Sequence, residues 1–131
     1  MDQAIRQFVR ERAEDRCEYC RLPQHAVDGT FHVEHIIARQ HGGTNDLSNL
    51  AWSCDRCNFS KGPNLSCIDD ETGEIVLLFH PRRDVWSEHF ALQGPLIVGL
   101  TPTGRAVVAL LQMNAPRRRD LRSLLLRRGN W

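Results

Sequence analysis

The sequence predicts a small α+β fold pinned by a metal ion, and three observations carry that expectation. Two Cys-x-x-Cys units, Cys17–Cys20 and Cys54–Cys57, bracket the middle of the N-terminal half. Between them lie a β-branched and aromatic run over 31–37 and a short apolar run over 50–53, separated by a Gly-Gly loop. Helical periodicity flanks the stretch on its N-terminal side and returns near the C-terminus.

The first helix is expected over 2–14. Ile5, Phe8, Val9 and Ala13 recur at three- and four-residue steps, and Asp2 is placed to cap the start. Arg6, Arg10 and Arg12 read as its polar side. Residues 21–30, with Pro23 and Asp28-Gly29, read as a loop, and 31–37 as a strand. His41-Gly42-Gly43-Thr44-Asn45-Asp46 reads as a second loop, 50–53 as a strand pairing back, and 55–61 as a short helix stopped by Gly62-Pro63.

Beyond this, 64–84 is less regular, with a turn at Asp69-Asp70-Glu71-Thr72-Gly73 and a strand at 74–79 halted before Pro81. A helical turn is expected at 86–90. The runs 95–100 and 105–111, joined by Thr101-Pro102-Thr103-Gly104, suggest a hairpin, although Ala106, Ala109, Leu110 and Leu111 would also suit a helix. The last helix is expected over 115–128, with Asn114 as cap and Leu121, Leu124 and Leu125 on one face.

With 131 residues, 41% of them hydrophobic, the chain can bury one modest core and is not of disordered composition. No apolar run approaches the roughly 20 residues of a membrane helix, and residues 1–16 show no apolar leader. The expected compartment is the cytoplasm, and the expected source is bacterial. Net charge is +1, but residues 101–131 carry seven arginines against Asp120 alone, which suggests an anionic partner. Lys61 is the only lysine.

Cys17, Cys20, Cys54 and Cys57 form two i, i+3 pairs. Tight turns let both sulfurs of each pair face one ion at about 2.3 Å, and two pairs close a tetrahedral structural zinc site. In a reducing compartment this reading outweighs disulfides. Cys67 is the odd cysteine and is excluded from the site.

Glu34-His35 is the pair with chemical content. Neutral His35 can take a proton from water near pH 7. Glu34 can hold a hard divalent cation through oxygen, and Asn58 offers a second oxygen. Asn49 can hydrogen-bond nearby groups and fix the orientation of His35. Adjacent side chains of an ideal strand point to opposite faces, so irregular backbone is expected at Glu34–His35 if both serve one site. His32, His41, His80 and His89 read as surface, loop or core residues, and Arg39 as a candidate phosphate contact. Trp52, Trp86 and Trp131 read as packing residues, and Lys61 as a phosphate contact or a complement to the helix end.

Taken together, Cys-x-x-Cys, a strand ending Glu34-His35-Ile36, the Gly-Gly loop, Asn49-Leu50 and Cys54-Asp55-Arg56-Cys57-Asn58 with Lys61-Gly62 resemble the HNH endonuclease family over about residues 17–63. The resemblance implies a zinc-stapled ββα-metal (His-Me finger) core with an N-terminal helix and a C-terminal β-hairpin/helix extension. It implies one nuclease domain over 1–131, with the core at about 17–63 and the extension at about 64–131. It implies His35 as general base, Glu34 and Asn58 as ligands of a catalytic Mg²⁺ or Mn²⁺, and Asn49 as the residue that orients the base and steadies the loop. Asn58 stands where the family often has His, and Glu34 where Asp is usual. The implied activity is metal-dependent cleavage of DNA, with RNA as an open second substrate and a dimer as one route to double-strand breaks. Two alternatives remain: a zinc-dependent nucleic-acid-binding module without catalysis, and a thiol redox protein, which would show reactive dithiols instead of bound metal.

Overall fold

The computed structural model describes residues 1–131, which form two compact units, Met1–Pro63 and Asn64–Trp131. The class is α+β, as the sequence predicts.

In the first unit, α1 (Gln3–Arg12) starts on Asp2, whose carboxylate accepts from the Ile5 amide at 2.9 Å. It stops short of residue 14 because Glu14 and Asp15 take left-handed conformations. Its buried face is narrower than predicted: Val9 and Ala13 are buried, whereas Phe8 is exposed. The arginines make up the difference. Arg6 donates to the Phe31 carbonyl at 3.2 Å and lies over the Trp52 ring, and Arg12 donates to the carbonyls of Leu47 and Leu50 at 2.9 and 2.6 Å. The supposed polar side therefore ties the helix to the segments that it covers.

Strand β1 (His32–His35) pairs antiparallel with β2 (Leu50–Ser53), in the register His32↔Ser53 through His35↔Leu50. The strand is shorter than the predicted run over 31–37. The expected irregularity at Glu34–His35 is absent, because both residues sit in the paired ladder; the backbone bends only from Ile36. Alternation accordingly buries Glu34 and leaves His35 half-buried. The loop back to β2 folds tightly at Gly43, where a Cβ would lie 1.7 Å from the Ile37 carbonyl oxygen, so only glycine fits. Helix α2 (Asp55–Lys61) follows, capped by the Cys54 sulfur and closed at Gly62.

In the second unit, β3 (Ser66–Ile68) and β4 (Ile75–Leu77) form a hairpin, and α3 (Trp86–His89) leads into β5 (Phe90–Gln93), which pairs with β6 (Leu96–Gly99). The predicted hairpin of 95–100 with 105–111 is wrong. Residues 95–100 supply β6, but its partner precedes it, and the second run is helix α4 (Pro102–Leu110). Thr101-Pro102-Thr103-Gly104 is a helix start instead of a turn: the Thr101 hydroxyl accepts from the Gly104 amide at 3.0 Å, and Pro102 occupies the first helical turn, where its missing N–H costs nothing.

Helix α5 (Pro116–Arg128) is not capped by Asn114, whose amide instead brackets Ile97, accepting from its N–H at 2.9 Å and donating to its carbonyl at 2.8 Å. Leu125 is buried there, with Leu121 and Leu124 half-buried. Two arginines of α5 serve the fold. Arg118 donates to Leu111, and buried Arg122 donates to the carbonyls of Pro95 and Met113, both at 2.7 Å. Arg117, Arg119, Arg127 and Arg128 are exposed.

Asp69, at the end of β3, is fully buried and takes a forked pair of bonds from Arg105 of α4, at 3.1 and 2.9 Å, plus one from the Thr72 hydroxyl. The Arg105 guanidinium holds the Asp69 carboxyl at about 2. A depressed carboxyl stabilises the fold above its unfolded value near 3.9 and loses that contribution as pH falls toward 2. Amide protection in β3, β4 and α4 is therefore expected to fall between pH 4 and 2, and Asp69→Asn should show lower protection at neutral pH with little of this acid dependence.

Candidate metal centre and adjoining cleft

The first knuckle precedes β1, and the second joins β2 to α2, so the β-pair carries both to one place. Cys17, Cys20, Cys54 and Cys57 are all buried, with their sulfurs within 4.8 Å of one another. Sulfurs at about 2.3 Å on a tetrahedron around zinc lie about 3.8 Å apart, and Cys20 and Cys54 are separated by 3.8 Å. The Cys20 and Cys57 amides point at Cys17 and Cys54 sulfurs at 3.5 Å, each helping to hold a thiolate. Burial pushes the Cys17 thiol well up, so a cation is what would keep it ionised. The donor set and its spacing fit zinc. Cys67 lies elsewhere, in β3, as its exclusion requires.

Beside this centre, Val33, Glu34, His35, Ala38, Arg39, Asn58, Gly62 and Pro63 line a cleft of about 310 Å³. Glu34, His35 and Asn58, which are dispersed over 25 positions of sequence, thus share one cavity. Regular strand alternation does not keep Glu34 and His35 apart, since both line this cleft where the chain bends immediately after them. The Glu34 carboxylate is 7% exposed. Its Oε1 accepts from the Tyr19 hydroxyl at 2.9 Å and pairs with the Lys61 ammonium at 2.9 Å, while its buried Oε2 has no hydrogen-bond partner. Burial raises the Glu34 carboxyl, and Lys61 opposes that rise.

His35 Nε2 lies 2.8 Å from Asn45 Oδ1. The same oxygen accepts from Arg39 at 3.2 Å, and because a guanidinium can only donate, this contact fixes which end of the amide faces the ring. Nε2 is therefore the protonated nitrogen of neutral His35, and Nδ1 carries the lone pair.

Asn49 sits behind the cleft. Its side chain accepts from Ile37 N–H at 2.8 Å and donates to the carbonyls of Ile37 and Thr44 at 3.1 and 2.8 Å. It clamps the loop; the residue that touches His35 is Asn45. Lys61 is neither a phosphate contact nor a surface complement to the helix end, since it is buried and ion-paired. His32 pairs with Asp55 of α2, His41 is exposed on its loop, and His89 meets the Thr101 hydroxyl at 2.6 Å. Sequence reasoning thus missed Asn45 and Tyr19 and misplaced Lys61. Only Lys61 carried a signal, as the one lysine among seventeen cations.

An antiparallel pair, a short helix and a four-cysteine cluster that could hold zinc define a small α+β domain. Residues 17–64 match the family model described as HNH endonuclease. Domains of that family are generally endonucleases, so nuclease-type chemistry is the class of function that the match implies. No curated protein and no solved structure matches the chain.

Proposed function

We propose that the cleft hydrolyses phosphodiester bonds of DNA, with His35 as general base. The observation that carries this reading is the shared cavity: Glu34, His35 and Asn58 line one cleft inside the segment that matches the family. His35 Nδ1 takes a proton from the attacking water as oxygen adds to phosphorus and the P–O bond to the leaving sugar breaks, the leaving oxygen taking a proton from solvent. Asn45 holds the ring through Nε2, and Asn49 holds the loop that carries Asn45. Arg39, on the rim, is placed to pair with a phosphate oxygen.

Glu34, through its unpartnered Oε2, and Asn58, through its amide oxygen, would hold Mg²⁺ or Mn²⁺, and few protein ligands leave room for phosphate oxygens. When bound, that ion would neutralise charge on the phosphate. The cysteine centre would hold zinc and serve the fold. The exposed arginines of α5 offer further phosphate contacts, and the cytoplasm is the compartment that this reading implies.

The test is relaxation of supercoiled plasmid at low salt in Mg²⁺ or Mn²⁺. Nicked circles are expected before linear product, because one site cuts one strand per encounter, and activity should fall steeply from about 50 to 200 mM salt as phosphate contacts weaken. Binding without cleavage under either ion would instead favour the zinc-dependent binding module.

A further inference from the structure

We infer that Lys61 is the positioning residue for His35, an assignment that deepens the nuclease reading and rests on it. The argument begins from cost. Lys61 is 2% exposed, and taking an ammonium out of water costs several kcal/mol even after relaxation. A surface lysine at the end of α2 would have capped the helix without that cost. The buried one reaches inward, to the Glu34 carboxylate at 2.9 Å and the Ile36 carbonyl at 2.9 Å.

Those two groups flank His35 in the chain. One ammonium therefore grips the residue before and the residue after the proposed base, at the point where β1 leaves its ladder. Strand pairing fixes His35 as far as Leu50, and the bend begins at Ile36. Lys61 holds the Ile36 carbonyl where the backbone turns, while the Ile36 N–H donates to the Asn49 carbonyl at 2.8 Å, so Lys61 shares with Asn49 the control of the turn. It also reaches back from α2, the helix that carries Asn58.

The type of side chain is part of the argument. Sixteen of the seventeen cationic residues are arginine, and this one position is lysine. A guanidinium is planar and larger, with its donors in a fixed fork; an ammonium is a compact charge that can aim separate protons at a carboxylate and a carbonyl. Tyr19, inside the first cysteine knuckle, donates to the same carboxylate oxygen. Tyr19 of the knuckle and Lys61 thus converge on one oxygen of Glu34.

The experiment compares Lys61→Met and Lys61→Arg with the unsubstituted protein. Bound zinc and the amide spectrum report the fold, and ring-nitrogen NMR of His35 at fixed pH reports its tautomer. Lys61→Met leaves Glu34 without its cation, so Lys61→Arg, which keeps the charge, guards against loss of fold. In the unsubstituted protein the buried ammonium should give a slowly exchanging signal and His35 a single Nε2–H tautomer. In a folded, zinc-loaded variant the ring should become a tautomer mixture, and kcat should fall about 100-fold with KM within about threefold, the scale of a misplaced catalytic group. A folded variant with unchanged His35 signals overturns the assignment, as does a fast-exchanging ammonium in the parent. If the parent cuts no DNA, the nuclease reading fails alone, because the ring and ammonium signals still decide what Lys61 positions.

Discussion

Chelating the zinc that the four cysteines would hold is expected to unfold Met1–Pro63. The cluster joins the segment after α1 to the segment between β2 and α2, which are otherwise bridged by the two-stranded pair and by the Glu18–Trp52 hydrogen bonds. Isolated two-stranded sheets are marginal in water, and a unit of 63 residues builds only a small core. Structural zinc contributes about 10–16 kcal/mol to folding in zinc-finger peptides, against a total stability of about 5–15 kcal/mol for ordinary domains. The loss therefore exceeds what such a unit holds in reserve. Chelation, or Cys54→Ser, should lower zinc from one ion per chain and abolish amide protection at β1, β2 and α2. Protection around Phe90, Ile97, Val107 and Met113 should persist, because that core contains none of the four ligands. Acid should act like chelator, since thiolates must be reprotonated to release the ion. Metal-free protein with a fully protected β1–β2 pair would remove the staple from the account.

What the sequence made legible follows from how local each signal was. The four cysteines could be grouped because i, i+3 spacing is a geometric statement about one tight turn, and two such turns needed only one strand pair to bring them together. Glu34, His35 and Asn58 could be grouped because their intervals survive the same fold. Asn45 could not, since an asparagine in a polar loop acquires its role only when the Gly42-Gly43 turn brings it back over His35. Lys61 was misread for a related reason: helix-end position predicts a solvated cation, and burial of a charge is decided by a partner 27 positions away, Glu34. The error at Thr101-Pro102-Thr103-Gly104 is of another kind. Proline followed by glycine satisfies both a turn and a helix start, and the run behind it contains both β-branched and helix-favouring residues. The Cβ-free approach of Gly104 to His89, where an added carbon would lie 2.0 Å from a carbonyl oxygen, is a tertiary fact with no local trace.

His35→Ala is expected to lower plasmid nicking by about 10²–10⁴-fold, the usual contribution of a positioned general base, with zinc content and melting behaviour unchanged. The ring is half-buried at the end of a strand, and its removal exposes no core. Asn45→Ala should cost far less, at most about tenfold, because an exposed hydrogen bond is worth on the order of 1 kcal/mol and water can take the acceptor's place. Asn45→Asp should keep most activity, since a carboxylate still accepts from Nε2–H and still meets Arg39. This ordering depends on Nδ1 being the base nitrogen. Were Nε2 the base, Asn45 would block it, and Asn45→Ala would raise the rate. The three variants measured together therefore test the tautomer as well as the residue. Nicking that survives His35→Ala at the parent's rate would assign the water's proton to some other group in the cleft.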